Sequence, residues 1–312
     1  MATETQVAPK PPAERSSAPV AAASSNAAAT RTPNRKVQAV GNILTVLGIM
    51  LLTFVLTISV IGSLQFARDQ KTMYANFRVA LANAVAPVSQ LTATGGFVPL
   101  GTPVVLLSFP SLGKQFVVVE GTTANVLMGA PGHRRDTVLP GQSGQSVIVG
   151  RRSMYGGPFA SLLDLHVGDK IVTTTGQGRS VYTVFKIRTA GDKLVIQPSA
   201  NILTLETAAG SPYQPSGVYY VDAKLDTAAN PGNNSYITYP NLLPAERSMQ
   251  GQSSNWVAVL LLSQALLLAV VGVVWLYFRQ GRLVAWVVGL PLLLALGVAL
   301  SNQIAGLLPN LM

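Results

Sequence analysis

The residues best suited to chemistry lie at positions 129–159, GAPGHRRDTVLPGQSGQSVIVGRRSMYGGPF, where a histidine and several arginines occur close together. His133 and Arg134 stand before a valine-rich stretch, and Arg151 and Arg152 follow it. Arginine presents a planar fork of N–H donors that matches carboxylate and phosphate groups. The pattern therefore indicates a site that binds an anionic group, such as a peptide carboxylate or a lipid head group.

Two other interpretations of these side chains remain open. In the first, Arg151 pairs with an internal acid such as Glu206 and not with a ligand. In the second, His133 is a general base for a hydroxyl nucleophile, Thr207 or Ser211, because a hydroxyl needs a neighbouring base to attack a carbonyl. A structural role for His133, lining a cleft or stabilising a turn, is the simpler alternative to catalysis.

Composition removes several classes of chemistry. The chain has no cysteine, which excludes a disulfide, a thiolate metal site and a cysteine nucleophile. No glycine-rich phosphate loop and no cluster with metal-ligand spacing is present in the sequence. We therefore expect neither a metal nor a cofactor. The net charge of +10 does not indicate a nucleic-acid partner, since much of the excess flanks apolar runs.

Three long apolar runs predict membrane-spanning helices. They cover residues 37–66, 256–278 and 283–308, and each reaches or approaches the roughly 20 residues that cross a bilayer. Basic residues precede the first run and occupy the turn at 279–282 between the other two. Because such residues favour the cytoplasmic side, we expect a multi-pass protein of the cell membrane with a cytoplasmic N-terminus. Residues 1–36, rich in Ala, Pro, Ser and Thr, are expected to be a disordered cytoplasmic tail.

Between the first two runs the pattern changes to strands. Seven short segments rich in Val, Ile, Thr and Tyr are separated by Gly, Pro or polar clusters. They are VVLLSF, QFVVVEG, QSVIVG, DKIVTTT, SVYTVFKI, NILTLET and GVYYVDAKL. We predict an extracytoplasmic all-β barrel or sandwich of about seven or eight strands at residues 104–226, with a short helix around 159–165. Residues 67–103 are predicted to be a membrane-proximal lead-in, and 227–255 a linker back to the membrane.

The same region resembles the sortases, membrane-anchored transpeptidases of Gram-positive bacteria, and in particular the class E sortases of actinobacteria. The similarity covers about residues 106–226. Its segments occur in the family's order: FPSLGKQFVVVEGTTANVL, GAPGH followed by TVLPG and a VIVG strand, YGGPF, LLDLHVGDKI and LTLET. The resemblance implies the sortase β-barrel for the domain.

The resemblance also assigns the family's catalytic positions, and this chain departs from the family at each of them. Sortases use a cysteine thiolate to attack a carbonyl of a sorting signal, a histidine to handle the leaving-group proton, and an arginine to hold the oxyanion or the substrate. The histidine position falls on Arg151, the cysteine position on Ala208, and the arginine position near Val218. Alanine has no nucleophile, and arginine is not a general acid–base group near neutral pH. We therefore expect the family's covalent route to be absent.

These observations predict a catalytically degenerate sortase-like protein that binds or scaffolds a cell-surface or membrane protein without transpeptidation. Its expected partners are the lipid bilayer and that protein. The candidate groove residues surround the vacant positions: His133, Arg134, Arg151, Arg152, Glu206 and Thr207. Two alternatives remain, an enzyme of sortase lineage with a relocated Ser/Thr nucleophile and a structural subunit of a membrane complex.

Overall fold

The computed structural model describes residues 35–92, 94–189, 191–192, 201–232 and 237–312. Most of the predicted disordered tail, residues 1–34, lies outside the described residues. Residues 35 and 36, also assigned to that tail from the sequence, already belong to the first helix.

The first helix is longer than its apolar run. α1 (Arg35–Leu56) and α2 (Gly62–Ala82) are joined by a π-helical turn, Thr57–Ile61. The predicted end of the membrane helix at residue 66 therefore lies inside α2, and part of the predicted lead-in is helical. The helix continues because α2 contains good helix formers and no proline to stop it.

α3 (Asn255–Gln280) and α4 (Arg282–Leu307) form a helical hairpin. Gly281 joins them with a backbone φ of +92°, a conformation that favours glycine. Among the described residues, three helical segments are long and apolar enough to cross a membrane: Gly48–Ala82, Asn255–Gln280 and Arg282–Leu307. The three predicted spans are thus present as helices.

The residues after α2 form a closed eight-stranded barrel with the strand order β1-β2-β3-β4-β7-β8-β6-β5. The strands are β1 (Pro103–Phe109), β2 (Lys114–Glu120), β3 (Gly132–His133), β4 (Gln145–Val149), β5 (Lys170–Thr175), β6 (Gly178–Thr189), β7 (Ile202–Ser211) and β8 (Gln214–Leu225). The all-β barrel and its seven predicted strands are confirmed. β3 was missed because two residues are too few for an alternating pattern, and the predicted short helix is a 3₁₀ turn, Ala160–Asp164.

β7 lies between two strands: it pairs in parallel with β4 and antiparallel with β8. Residues 202–208 are all buried. Leu203 and Leu205 enter the main core inside the barrel, whereas Ala208 belongs to a second apolar cluster. Because successive residues on a strand point to opposite faces, this second cluster lies on the outer face of the sheet.

Candidate functional site

The second cluster defines the site. It lies on the outer face of β4, β7 and β8, beside a 3₁₀ turn at Val126–Met128. We use the name groove for this cluster together with the arginine that follows β4, that is, for Leu127, Val147, Val149, Arg151, Ala208 and Val218. Valine alternates with the core residue Ile148 along β4, which explains why one strand serves both clusters.

The structure brings the sequence-assigned family positions into this one site. Ala208 and Val218 are direct register partners on β7 and β8. Arg151 lies at the end of β4, where the amide of its neighbour Gly150 donates to the Glu206 carbonyl at 3.0 Å. The three positions therefore lie on neighbouring strands of the barrel, although the sequence assigns the third only to within a residue or two.

Arg151 is fully buried. Its Nη2 donates to the Ala124 carbonyl at 2.8 Å, its Nη1 to the Met312 carbonyl at 3.4 Å, and its guanidinium lies 5.2 Å from the centre of the Tyr155 ring. Among the described residues, no Asp or Glu side chain is within ion-pair distance of it. Burial lowers the pKa of Arg151 to about 10, so the side chain is still a cation at neutral pH.

Glu206 does not pair with Arg151, the arrangement that one sequence interpretation proposed. Its carboxylate accepts from Arg134 Nη1 at 3.1 Å and from the Ser248 hydroxyl at 2.5 Å. Arg134 also donates to Asp136 at 2.6 Å. These charges are therefore matched by neighbours within the domain.

Arg152 lies at the rim of the groove and is partly exposed. Its Nη1 donates to the carbonyls of Ala208 at 3.1 Å and Gly210 at 2.5 Å. Its backbone N–H donates to the Leu311 carbonyl at 2.9 Å. Arg152 thus connects the end of β7 to a segment that follows α4.

His133 is fully buried and both of its ring nitrogens are engaged. Nδ1 lies 3.0 Å from a Glu120 oxygen, and Nε2 donates to the Val138 carbonyl at 2.9 Å. Burial alone would lower the pKa of His133, but the charge and hydrogen bond of Glu120 raise it above the usual 6.5. The arrangement favours a protonated imidazole that stabilises the turn after β3.

Thr207, the second half of the proposed hydroxyl–histidine pair, is also buried and engaged. Its hydroxyl donates to the Gly150 carbonyl at 2.9 Å. Since Thr207 neighbours Ala208 on a strand, its side chain points to the opposite face from the groove. The other hydroxyl, Ser211, is exposed at the end of β7.

Two segments outside the barrel complete the site, and sequence reasoning missed both. The described part of the predicted linker packs on the barrel, where the buried Glu246 carboxylate accepts two hydrogen bonds from Arg135. The second segment, residues 308–312, follows α4 and is called the post-helix segment below. It carries no strand or helix periodicity, and its only sequence signal is a leucine-rich composition after a polar helix end.

Leu311, in the post-helix segment, is fully buried and belongs to the same apolar cluster as Ala208 and Val218. Asn310 is also fully buried. Among the described residues, no group of three or more His, Asp or Glu side chains could hold a metal ion. The chemical content of the site is therefore an apolar floor, a buried guanidinium and a set of backbone donors and acceptors.

Comparison with known proteins identifies the domain. A family model described as the sortase domain matches residues 107–226. Sortase D of Bacillus subtilis (strain 168) is 29% identical over 101 residues, which are 32% of this chain and 47% of the relative. The chain thus spans about half the length of this curated relative.

Two solved sortase structures are also similar to part of this chain. Sortase E from Streptomyces avermitilis is 30% identical, with coverage of 42% of this chain and 91% of that chain and a TM-score of 0.37. A sortase D5 transpeptidase from Clostridium perfringens is 24% identical, with coverage of 51% and 99% and a TM-score of 0.44. The matched residues include Arg151, Ala208 and Val218. The family model thus shows a sortase domain at residues 107–226 of this chain.

Proposed function

We propose that this chain is a membrane-anchored sortase-family protein that binds or scaffolds a cell-surface or membrane protein without transpeptidation. The observation that supports this most strongly is the set of residues at the family's catalytic positions, Ala208, Arg151 and Val218, in a chain with no cysteine. Without a thiolate, an acyl-enzyme thioester does not form. The domain then retains the sortase fold and uses its groove for binding instead of transpeptidation.

Arg151 supports binding and not proton transfer. A guanidinium with a pKa of about 10 remains protonated at neutral pH, so it does not accept a proton from an attacking group. Its N–H groups already donate to two carbonyls, Ala124 and Met312. We propose that the same donors hold a carboxylate or carbonyl oxygen of a partner peptide.

The proposed location follows from charge and connectivity. Arg279 and Arg282 flank the turn between α3 and α4, and basic residues also precede the first apolar run. Both groups favour the cytoplasmic side of the membrane. With three spans, the barrel then lies on the outer side, where it would meet cell-surface proteins.

Two measurements test this function on the full chain in mild detergent. The first incubates the wild type with sorting-signal peptides and an amine acceptor, and follows products and protein adducts by mass spectrometry. We expect no ligated peptide and no covalent adduct. Amine-dependent ligation by the purified chain would overturn the proposal.

The second measurement is co-purification from the native membrane, compared between the wild type, Arg151→Glu and Arg152→Glu, with Lys170→Glu as a control. Lys170 carries an exposed charge on β5, away from the groove. We expect a stoichiometric partner that is lost in the groove variants and retained in the control. A partner retained by folded groove variants would instead favour a structural subunit that assembles through its helices.

A further inference from the structure

The groove is covered by the chain's own residues. Leu311 belongs to the same buried apolar cluster as Ala208 and Val218, and the main chain on either side of it is held by hydrogen bonds. The backbone N–H of Arg152 donates to the Leu311 carbonyl at 2.9 Å, and Arg151 donates to the next carbonyl, that of Met312. Arg151 and the rim residue Arg152 thus contact main-chain oxygens of successive residues in the post-helix segment.

Asn310 fixes the other side of this segment. Its Nδ2 donates to the carbonyls of Thr122 at 2.9 Å and Arg247 at 3.1 Å, and its backbone N–H donates to Gln250 at 3.0 Å. Met312 N–H donates to the Pro309 carbonyl at 3.1 Å, which closes a tight turn. The post-helix segment is therefore seated as a compact turn with a leucine at its centre.

The contact between the post-helix segment and the groove leaves two buried polar atoms unsatisfied. Arg151 Nε and Asn310 Oδ1 are buried and have no hydrogen-bond partner among the described residues. An unpaired buried polar atom weakens an interface. A partner oxygen that reached Arg151 Nε would satisfy a donor that the post-helix segment leaves unpaired.

We propose that residues 308–312 are an internal occupant of the groove, and that a partner peptide with an apolar side chain and a carboxylate binds there by displacing them. The proposal rests on the proposed function for the existence of that partner, whereas the occupancy itself rests on the contacts above. It explains how a groove with a buried guanidinium is kept dry when no partner is present.

α4 connects the post-helix segment to the membrane. The segment begins directly after Leu307, the last residue of α4. The end of α4 is held by Asn255 at the start of α3, whose Nδ2 lies 3.4 Å from the Gln303 carbonyl and 3.3 Å from Asn125 Oδ1. A movement of α4 in the bilayer would therefore shift the occupant of the groove.

A single engineered cysteine tests the occupancy, because the chain has none of its own. Val218→Cys places a thiol under Leu311 without adding volume, and Leu163→Cys places one at an exposed position. In the detergent-solubilised full chain, we expect the thiol at position 218 to react with a maleimide at least about tenfold more slowly than the one at 163, since it reacts only after local opening. Adding Leu311→Ser should raise the rate at 218 by about tenfold or more, because the buried leucine contact is lost.

Two further variants make the result specific. Asn310→Ala, which keeps Leu311 and removes the side-chain hydrogen bonds, should also accelerate the reaction. Leu225→Ser weakens the core inside the barrel and should leave the rate at 218 unchanged in folded protein. Equal rates at 218 and 163, or a thiol at 218 that stays slow in both Leu311→Ser and Asn310→Ala, would overturn the inference.

These readouts are independent of the proposed function. Opening of the groove in the Leu311 variant, together with amine-dependent peptide ligation by the wild type, would overturn the function and leave the occupancy intact. A thiol at 218 that is always accessible, together with a partner lost in Arg151→Glu, would overturn the occupancy and leave the proposed function intact.

Discussion

Ala208 on β7 lies directly opposite Val218 on β8 in the antiparallel ladder. Directly opposite residues have Cβ atoms about 4.5–5.5 Å apart, so a cysteine and an arginine at these positions would be in contact. In this chain the pair is alanine and valine, and both share a buried apolar cluster with Leu311. The place where the family's motifs locate a reaction centre is therefore an apolar floor.

The two arginines of the groove should differ in their contribution to stability. Arg151→Ala removes a fully buried side chain and leaves the Ala124 carbonyl unpaired, so we expect a loss of about 3 kcal/mol. Arg152→Ala removes a partly exposed side chain and should cost about 1 kcal/mol. Thermal unfolding of the two purified variants, followed by circular dichroism, checks the order. Equal losses would contradict the burial of Arg151.

The His133–Glu120 pair predicts a pH dependence of stability. The pKa of His133 is raised in the folded state above its usual 6.5, so folding favours the protonated imidazole. This stabilisation is complete below pH 6.5 and is lost as pH rises through the folded pKa. We expect the unfolding temperature of the wild type to fall over that window.

Glu120→Gln should remove most of that pH dependence, and it should lower the unfolding temperature most at the acidic end. The matched control is His166→Gln, because His166 is exposed and is the other histidine of the chain. A wild-type curve that is flat from pH 6 to pH 9, or a Glu120→Gln curve parallel to the wild type, would show that the pair does not titrate in this way.

The engaged hydroxyl of Thr207 predicts that the chain does not react with serine-hydrolase probes. His133 has no free ring nitrogen to act as a base, and Thr207 points away from the groove. A fluorescent fluorophosphonate should therefore leave the wild type unlabelled, while a known serine hydrolase added to the same sample is labelled. Labelling that disappears in Thr207→Ala or Ser211→Ala would establish a relocated nucleophile.

Local pattern was sufficient to predict the elements of this fold. The seven predicted strands alternate or run apolar over five or more residues, and the apolar runs at 37–66, 256–278 and 283–308 carry no charged residue. β3 has two residues and gives no pattern of its own, so it was missed. The apolar run ends at residue 66, where hydropathy is lost, whereas the helix itself continues through α2 to Ala82.

The site was only partly predictable for a different reason. Arg151, Ala208 and Val218 could be assigned because each lies in or beside a strand with a recognisable motif. What covers them comes from Leu311 and Asn310, which lie roughly 90 to 160 residues further along the chain and outside any motif. Contacts between such distant segments depend on the assembled fold, which explains why Arg151 was expected to face a ligand or Glu206 and not the post-helix segment.

The last prediction concerns orientation in the membrane. α3 begins and α4 ends beside the barrel, since Asn255 contacts both Asn125 and Gln303, so the turn between them lies at the far end of the hairpin. Because basic residues favour the cytoplasmic side, we propose that this turn lies in the cytoplasm. In intact cells, a membrane-impermeant maleimide should label Leu163→Cys on the barrel and should label Gln280→Cys at the turn only after lysis.

Both positions are exposed in the structure, so the comparison depends on sidedness and not on burial. Gln280→Cys leaves the flanking arginines in place, which keeps the charge that directs insertion. The cysteine-free wild type measures background labelling. Labelling of the turn and protection of the barrel in intact cells would invert the topology, and the groove would then face cytoplasmic partners instead of cell-surface proteins.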